Sequence, residues 1–221
     1  MVYEGVLMPT KRFENLDPER RESILMAAQA EFARNGFEQA SLNTIIREAG
    51  ISKGSLYYYF EDKTDLYLAV IENVNNELFR EMGGIVTGEI SDDIWGDVEK
   101  SLIQWMKIMR EKPGLIMLWR NLLNLYMSPG RSERINEFIG AAREKVSVIL
   151  KNAQTKGVIR ADLPFELLVA IFYNMDTAFD FWIFEHIDNL SDTEHRRLVK
   201  LYVDLLKKAF SEALPSVQEV V

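Results

Sequence analysis

The sequence predicts an all-α protein, on three observations. Apolar residues recur every three or four positions through most of the chain. Nearly every such stretch is preceded by a serine, an aspartate or a proline, the residues that start helices. No alternating strand pattern runs longer than a few residues. Asp17 and Pro18 open a first helix that carries Ile24, Ala28 and Phe32 on one stripe and ends at Gly36. Ser41 caps a short helix to Glu48, Ala49-Gly50-Ile51 makes a turn, and Ser52 caps a second short helix to about Phe60. Asp62 begins a longer one with Leu66, Val70, Val74 and Leu78 on one face.

After a break between Gly83 and Ser91, helices are expected over 91–111, 113–127 and 132–157, the second opened by Pro113 and the third by Ser132. Pro164 opens an aromatic-rich helix to about Ile187. Ser191 and Glu194 have capping-box spacing for a last helix to about Ala213. These elements divide the chain into an arm (1–16), a three-helix domain (17–66), a larger helical domain (67–214) and a tail (215–221).

Composition narrows the function. Hydrophobic residues make up 48% and charged residues 27% of the 221, a globular balance. Cysteine is absent, which excludes disulfides and thiolate metal sites and suits the reducing cytoplasm. The two histidines, His186 and His195, build no zinc-ligand spacing, so no metal or cofactor is expected. No membrane-spanning helix and no secretory leader are expected either. A net charge of −8 argues against nucleic acid when taken alone, yet Ala49 to Phe60 contains no acidic residue.

That stretch carries the function. Two short helices joined by a glycine-containing turn describe a helix-turn-helix, whose second helix can lie in a DNA major groove. On a helical wheel Leu56 and Phe60 share the packed face, Gly54, Ser55 and Tyr58 oppose it, and Lys53, Tyr57 and Tyr59 flank it. Gly54 allows the backbone close to base edges, Ser55 and Tyr58 offer hydroxyls or apolar contacts, and Lys53 can donate to guanine or phosphate. Lys63 and the helix start after Asp62 suit a phosphate. Three consecutive tyrosines sweep too wide an arc for all of them to sit in one core.

The run GISKGSLYYYFEDKTDL, preceded by ILMAAQAEFARNGFEQASLNTIIREA, closely resembles the N-terminal domain of TetR-family repressors. The resemblance implies base contacts from Ser52, Lys53, Gly54, Ser55 and Tyr58, and phosphate contacts from Thr44, Tyr57, Tyr59 and Lys63. It covers Arg21 to about Leu68 in detail. Ile46 departs from the pattern, because that position usually carries a small residue, and a wider crossing of the two helices is expected there. Lys11 and Arg12 precede the domain either as a DNA-touching arm or as a solvated terminus.

Beyond Arg80 no nucleophile–base pair, phosphate loop or paired carboxylate shows catalytic spacing. The helices there are rich in aromatic residues and methionine, which singly read as core. The resemblance implies that this domain dimerises and encloses a small effector. The residues expected to line the site are Trp105, Met109, Trp119, Tyr126, Phe172, Tyr173, Asp176, Phe179 and Asp180. The effector is then hydrophobic or aromatic, and cationic if Asp176 and Asp180 face it rather than pair with arginine at a dimer interface. A homodimer is expected through the last two helices, with Leu198, Leu201, Tyr202, Leu205 and Phe210 at the interface. The chain so read is a ligand-responsive regulator of double-stranded operator DNA, not an enzyme. Its rivals are an α-helical enzyme using the same cavity and a helical scaffold for protein partners.

Overall fold

The computed structural model describes residues 11–82 and 91–211. Among them run ten α-helices and no strand: α1 (Lys11–Glu14), α2 (Pro18–Gln39), α3 (Leu42–Glu48), α4 (Lys53–Tyr59), α5 (Lys63–Met82), α6 (Ile94–Glu111), α7 (Pro113–Met127), α8 (Glu133–Thr155), α9 (Phe165–His186) and α10 (Asp192–Ser211). A 3-10 turn, Ile187–Asn189, follows α9. The expected break at Gly83-Gly84 and the tail from Pro215 lie outside the described residues.

The starts obey local chemistry. Asp17 accepts from the N–H of Glu19 at 3.0 Å, Ser41 from Thr44 at 3.3 Å, Ser52 from Ser55 at 3.0 Å and Asp62 from Asp65 at 2.8 Å. Ser191 and Glu194 close the reciprocal box, with the Ser191 N–H donating to Glu194 at 2.8 Å. One boundary differs from expectation. Gly36 kinks α2 at φ +70° rather than ending it, and helix resumes over 37–39.

The contacts gather the chain into two compact units, each with its own core. The first joins the residues up to 81 with 112–141, so α7 and the start of α8 belong with the helix-turn-helix. Its centre is α2 against α7, filled by Ile24, Ala28 and Phe32. Tyr67, fully buried on α5, meets Phe32 edge-on at 4.9 Å and donates its hydroxyl to the Leu118 carbonyl, tying α5 to α7. Arg134, in the first turn of α8, reaches Glu61, Asp65 (3.4 Å) and Asp62 (4.0 Å) at the start of α5.

The second unit comprises α6, most of α8, α9 and α10. Its core includes Ile94, Leu150, Leu168, Val169, Tyr202, Leu206 and Phe210. Tyr202 and Phe210, expected at a dimer interface, therefore face the chain's own interior: they alternate with the outward residues at helical spacing. Leu201 and Leu205, each 54% exposed, do point outward, with Leu198 half-buried beside them. Leu167 and Trp182 are the exposed large apolar residues of α9.

The expectation that no segment is apolar enough to cross a membrane needs one correction. Phe165–Asn189 is long and apolar enough by composition. It is apolar nearly all round because one side meets the core and the other carries that exposed strip. Asp176 and Asp180 sit in its middle.

Candidate nucleic-acid interface

The reading head is built from α3, the turn at Gly50 and α4. Gly50 sits at φ +63°, and an added Cβ there would meet nothing within 4 Å. Glycine is thus required by the backbone conformation and not by crowding. Leu56 and Phe60 are buried beneath α4, as the four-residue spacing predicts. Tyr57 and Tyr58 stand 51% and 52% exposed, Lys53 and Gly54 are exposed, and Ser55, Tyr59 and Thr44 are half-buried. A Cβ on Gly54 would touch only the Ser52 hydroxyl oxygen, at 3.8 Å. Nothing inside the protein therefore demands glycine at 54, which leaves room for another molecule's close approach.

Two groups of candidates have duties within the head. The Ser52 and Ser55 hydroxyls bond each other at 2.8 Å while Ser52 caps α4. The Lys63 ammonium donates to the Glu38 carbonyl at 2.8 Å and lies 5.1 Å from the Phe37 ring centroid. Lys63 thereby closes the end of α2, and only its remaining N–H groups could meet a phosphate. Ile46, the bulky departure, is half-buried, and its carbonyl accepts from the Ile51 N–H at 3.1 Å.

Residues 11–16, expected to belong to a loose arm, take a defined place. Phe13 is only 2% exposed and packs 4.7 Å from Phe60 and 5.8 Å from Tyr59. Arg12 lies 4.4 Å over the Tyr58 ring, a cation–π contact at the exposed face of α4. A lone Phe among polar residues carries no periodic signal, and only the tertiary contact reveals its role. Residues 1–10 lie outside the described residues.

The negative charge at the edge of the head is partly compensated. Glu61, Asp62 and Asp65 follow α4 directly, and the Arg134 guanidinium serves all three. Burial pushes the Asp65 carboxyl above its ordinary value, opposed by the Glu61 N–H and Arg134.

In the second unit, part of the expected effector set converges. Phe179 stacks on Tyr202 with centroids 4.0 Å apart, the Tyr202 hydroxyl donates to Asp176 at 3.3 Å, and Phe172 meets Phe210 at 5.8 Å. Arg143 lies 5.8 Å over Tyr173. Trp105 packs on Phe184 at 5.6 Å, while Met109 is fully buried and belongs to the core. Trp119 and Tyr126 stand on α7, in the first unit. No salt bridge reaches Asp176 or Asp180 among the described residues. Removal from water pushes Asp176 up to about 6 and Asp180 well above its ordinary value, the latter also through repulsion from Asp176.

Those raised values carry a pH prediction. The native chain holds these protons more tightly than the unfolded chain, so stability falls as pH rises from about 4, through about 6 for Asp176 and on through the higher range of Asp180. Asp176→Asn is expected to be more stable than the parent at pH 7 by about 1–2 kcal/mol, with a flatter profile across that window. Urea titrations at pH 4, 5, 6 and 7 check this; equal pH dependence in the two proteins would refute it.

Comparison with known proteins follows the same geometry. Residues 24–70, from α2 into α5, match the family described as bacterial regulatory proteins, tetR family. BepR, an HTH-type transcriptional repressor of Brucella suis, is 42% identical over 53 residues, 24% of this chain and 25% of BepR. YfiR, an HTH-type transcriptional regulator of Bacillus subtilis, is 21% identical over 159 residues, 71% of this chain and 76% of its own. Among solved structures, SmeT, the repressor of the Stenotrophomonas maltophilia multidrug efflux pump SmeDEF, superposes with a TM-score of 0.65 at 19% identity. That match covers 93% of this chain and 96% of SmeT. SmeT is also known as a complex with triclosan. The sequence match is strong over the reading head and thin beyond it, where the likeness is one of fold.

Proposed function

We propose that the chain, whose residues 24–70 match the tetR family of bacterial regulatory proteins, is a repressor released from a palindromic operator when a small hydrophobic effector binds its second unit. One observation supports the reading most: a capped helix α4 presents Lys53, Gly54 and Tyr58 to solvent, on a segment free of acidic residues in a chain of net charge −8. Base edges are read by Lys53, Gly54 and Tyr58, with Ser52 and Ser55 holding the helix start. Thr44, Tyr57, Tyr59 and the spare donors of Lys63 meet phosphates.

The protein works as a homodimer. Leu201 and Leu205 of α10, with half-buried Leu198 beside them, and Leu167 and Trp182 of α9 offer exposed apolar side chains for it, and two-fold symmetry sets two reading helices on two half-sites. The effector lodges beside Phe172, Tyr173 and Phe179; the carboxyls of Asp176 and Asp180 select a cation if it carries charge. SmeT's complex with triclosan gives a precedent for ligand binding on this fold. The effector acts only through its differential affinity for DNA-bound and released conformers. No residue is assigned a catalytic role, and the site of action is the bacterial cytoplasm.

Selection of bound duplexes from a random pool, followed by salt titration, tests the reading. Enrichment of a two-fold symmetric site, with affinity falling steeply as salt rises, is the expected result. No enriched sequence, or binding indifferent to salt, would return the helix-turn-helix to the scaffold alternative.

A further inference from the structure

The second unit holds a cleft of about 470 Å³ between α6 and the first turns of α10, lined by none of the residues discussed above for the effector. Its volume is in the range of small-molecule sites. Ile103, Met106 and Val199 supply apolar lining, and Met106 and Val199 are themselves buried. Lys107, Arg110 and Arg196 bring three positive charges, and Glu111 and Asp192 bring two negative ones.

The charges are unequally matched. Lys107 pairs with Glu111 at 3.9 Å, and Arg110 pairs with Asp192. Arg196 has no ionic partner among the described residues. Arg110 also donates to His195 Nδ1 at 3.4 Å. Because a guanidinium has only donors, that nitrogen must accept. Burial, and then the positive charge of Arg110, hold His195 below its ordinary value. The imidazole, 5% exposed, is thus a neutral wall and not a fourth cation. The cleft is left with one uncompensated positive charge beside an apolar lining.

We propose that this α6–α10 cleft is a binding site for a small organic monoanion, a carboxylate with a short apolar body. The Arg196 guanidinium takes the carboxylate, in the bidentate geometry that a planar fork suits. The apolar tail covers Ile103 and the side chains below it. Arg110 can exchange its exposed partner Asp192 for the ligand, so binding loosens the tie between α6 and the start of α10. Inorganic phosphate has no apolar body to cover Ile103, and a neutral analogue would leave Arg196 unmatched. The inference is independent of the operator reading and of the aromatic effector site.

The test titrates hexanoate, hexanol, hexylamine and inorganic phosphate into the full chain, following backbone amide resonances. Hexanoate is expected to give saturable shifts on α6 and α10, with the other three at least about tenfold weaker. Arg196→Gln, an exposed substitution, is expected to weaken hexanoate about tenfold or more while operator affinity without hexanoate is unchanged. Equal binding of hexanol, phosphate or hexylamine overturns the proposal. So does unaltered hexanoate affinity in the variant, or shifts confined to the aromatic stretch of α9. Since DNA binding is measured separately, failure here leaves the regulatory reading untouched.

Discussion

The Lys53→Ala, Tyr58→Ala double variant is expected to lose about a hundredfold or more in operator affinity, while unfolding at the parent's temperature. Both side chains leave α4 for solvent, so their removal opens no cavity. A good base contact is worth about 1–3 kcal/mol, and two of them reach the expected loss. Loss of Lys53 should also lower the slope of log affinity against log salt by about one if the ammonium meets a phosphate. Leu56→Ala provides the contrast. That side chain is buried beneath α4, so its loss should cost DNA binding only through unfolding. Fluorescence anisotropy on the selected operator, paired with thermal melts, separates the two routes. Parent-like affinity in the double variant would remove α4 as the reading helix.

Phe13→Ala is expected to cost the head about 3–5 kcal/mol, a large share of a typical domain's stability. Its ring is almost completely enclosed, against Phe60 and Tyr59. Truncation opens a cavity directly beneath the end of α4, where Phe60 anchors the recognition helix. Phe13→Leu, which refills much of that space, should recover most of the loss. Urea denaturation measures both. If Phe13→Ala unfolds at the parent's midpoint, the packing of α1 on α4 does not form in solution.

Much of this architecture was legible in the sequence because its signals are local. The caps at Asp17, Ser41, Ser52 and Ser191 act within one turn, and the structure shows each one bonded as spacing predicts. The four-residue step from Leu56 to Phe60 likewise identified the packed face of α4. Tertiary placement was not legible. Apolar periodicity marks that Tyr202 and Phe210 share a face, but not whether that face meets the same chain or another. Met109 and Trp105 look alike as members of an apolar stripe, yet only one is wholly enclosed. Lys63 satisfies the motif as a phosphate ligand, and its bond to the Glu38 carbonyl spans 25 residues, beyond any local pattern. The α6–α10 cleft pairs residues about 85 positions apart, so no window of sequence could disclose it.

The contact of Arg134 with Glu61, Asp62 and Asp65 bears on how the protein finds its target. Those carboxylates lie just past the end of α4, Glu61 and Asp62 before α5 and Asp65 in its first turn, and unscreened they would oppose the phosphate rails of a duplex approaching α4. With one guanidinium spread across them, repulsion beside α4 is reduced in a chain whose net charge of −8 otherwise disfavours a polyanion. On the proposed reading of α4, encounters with a duplex are expected to be biased toward the productive orientation before any base is read. The gain is kinetic, and it is largest at low ionic strength, where long-range fields survive.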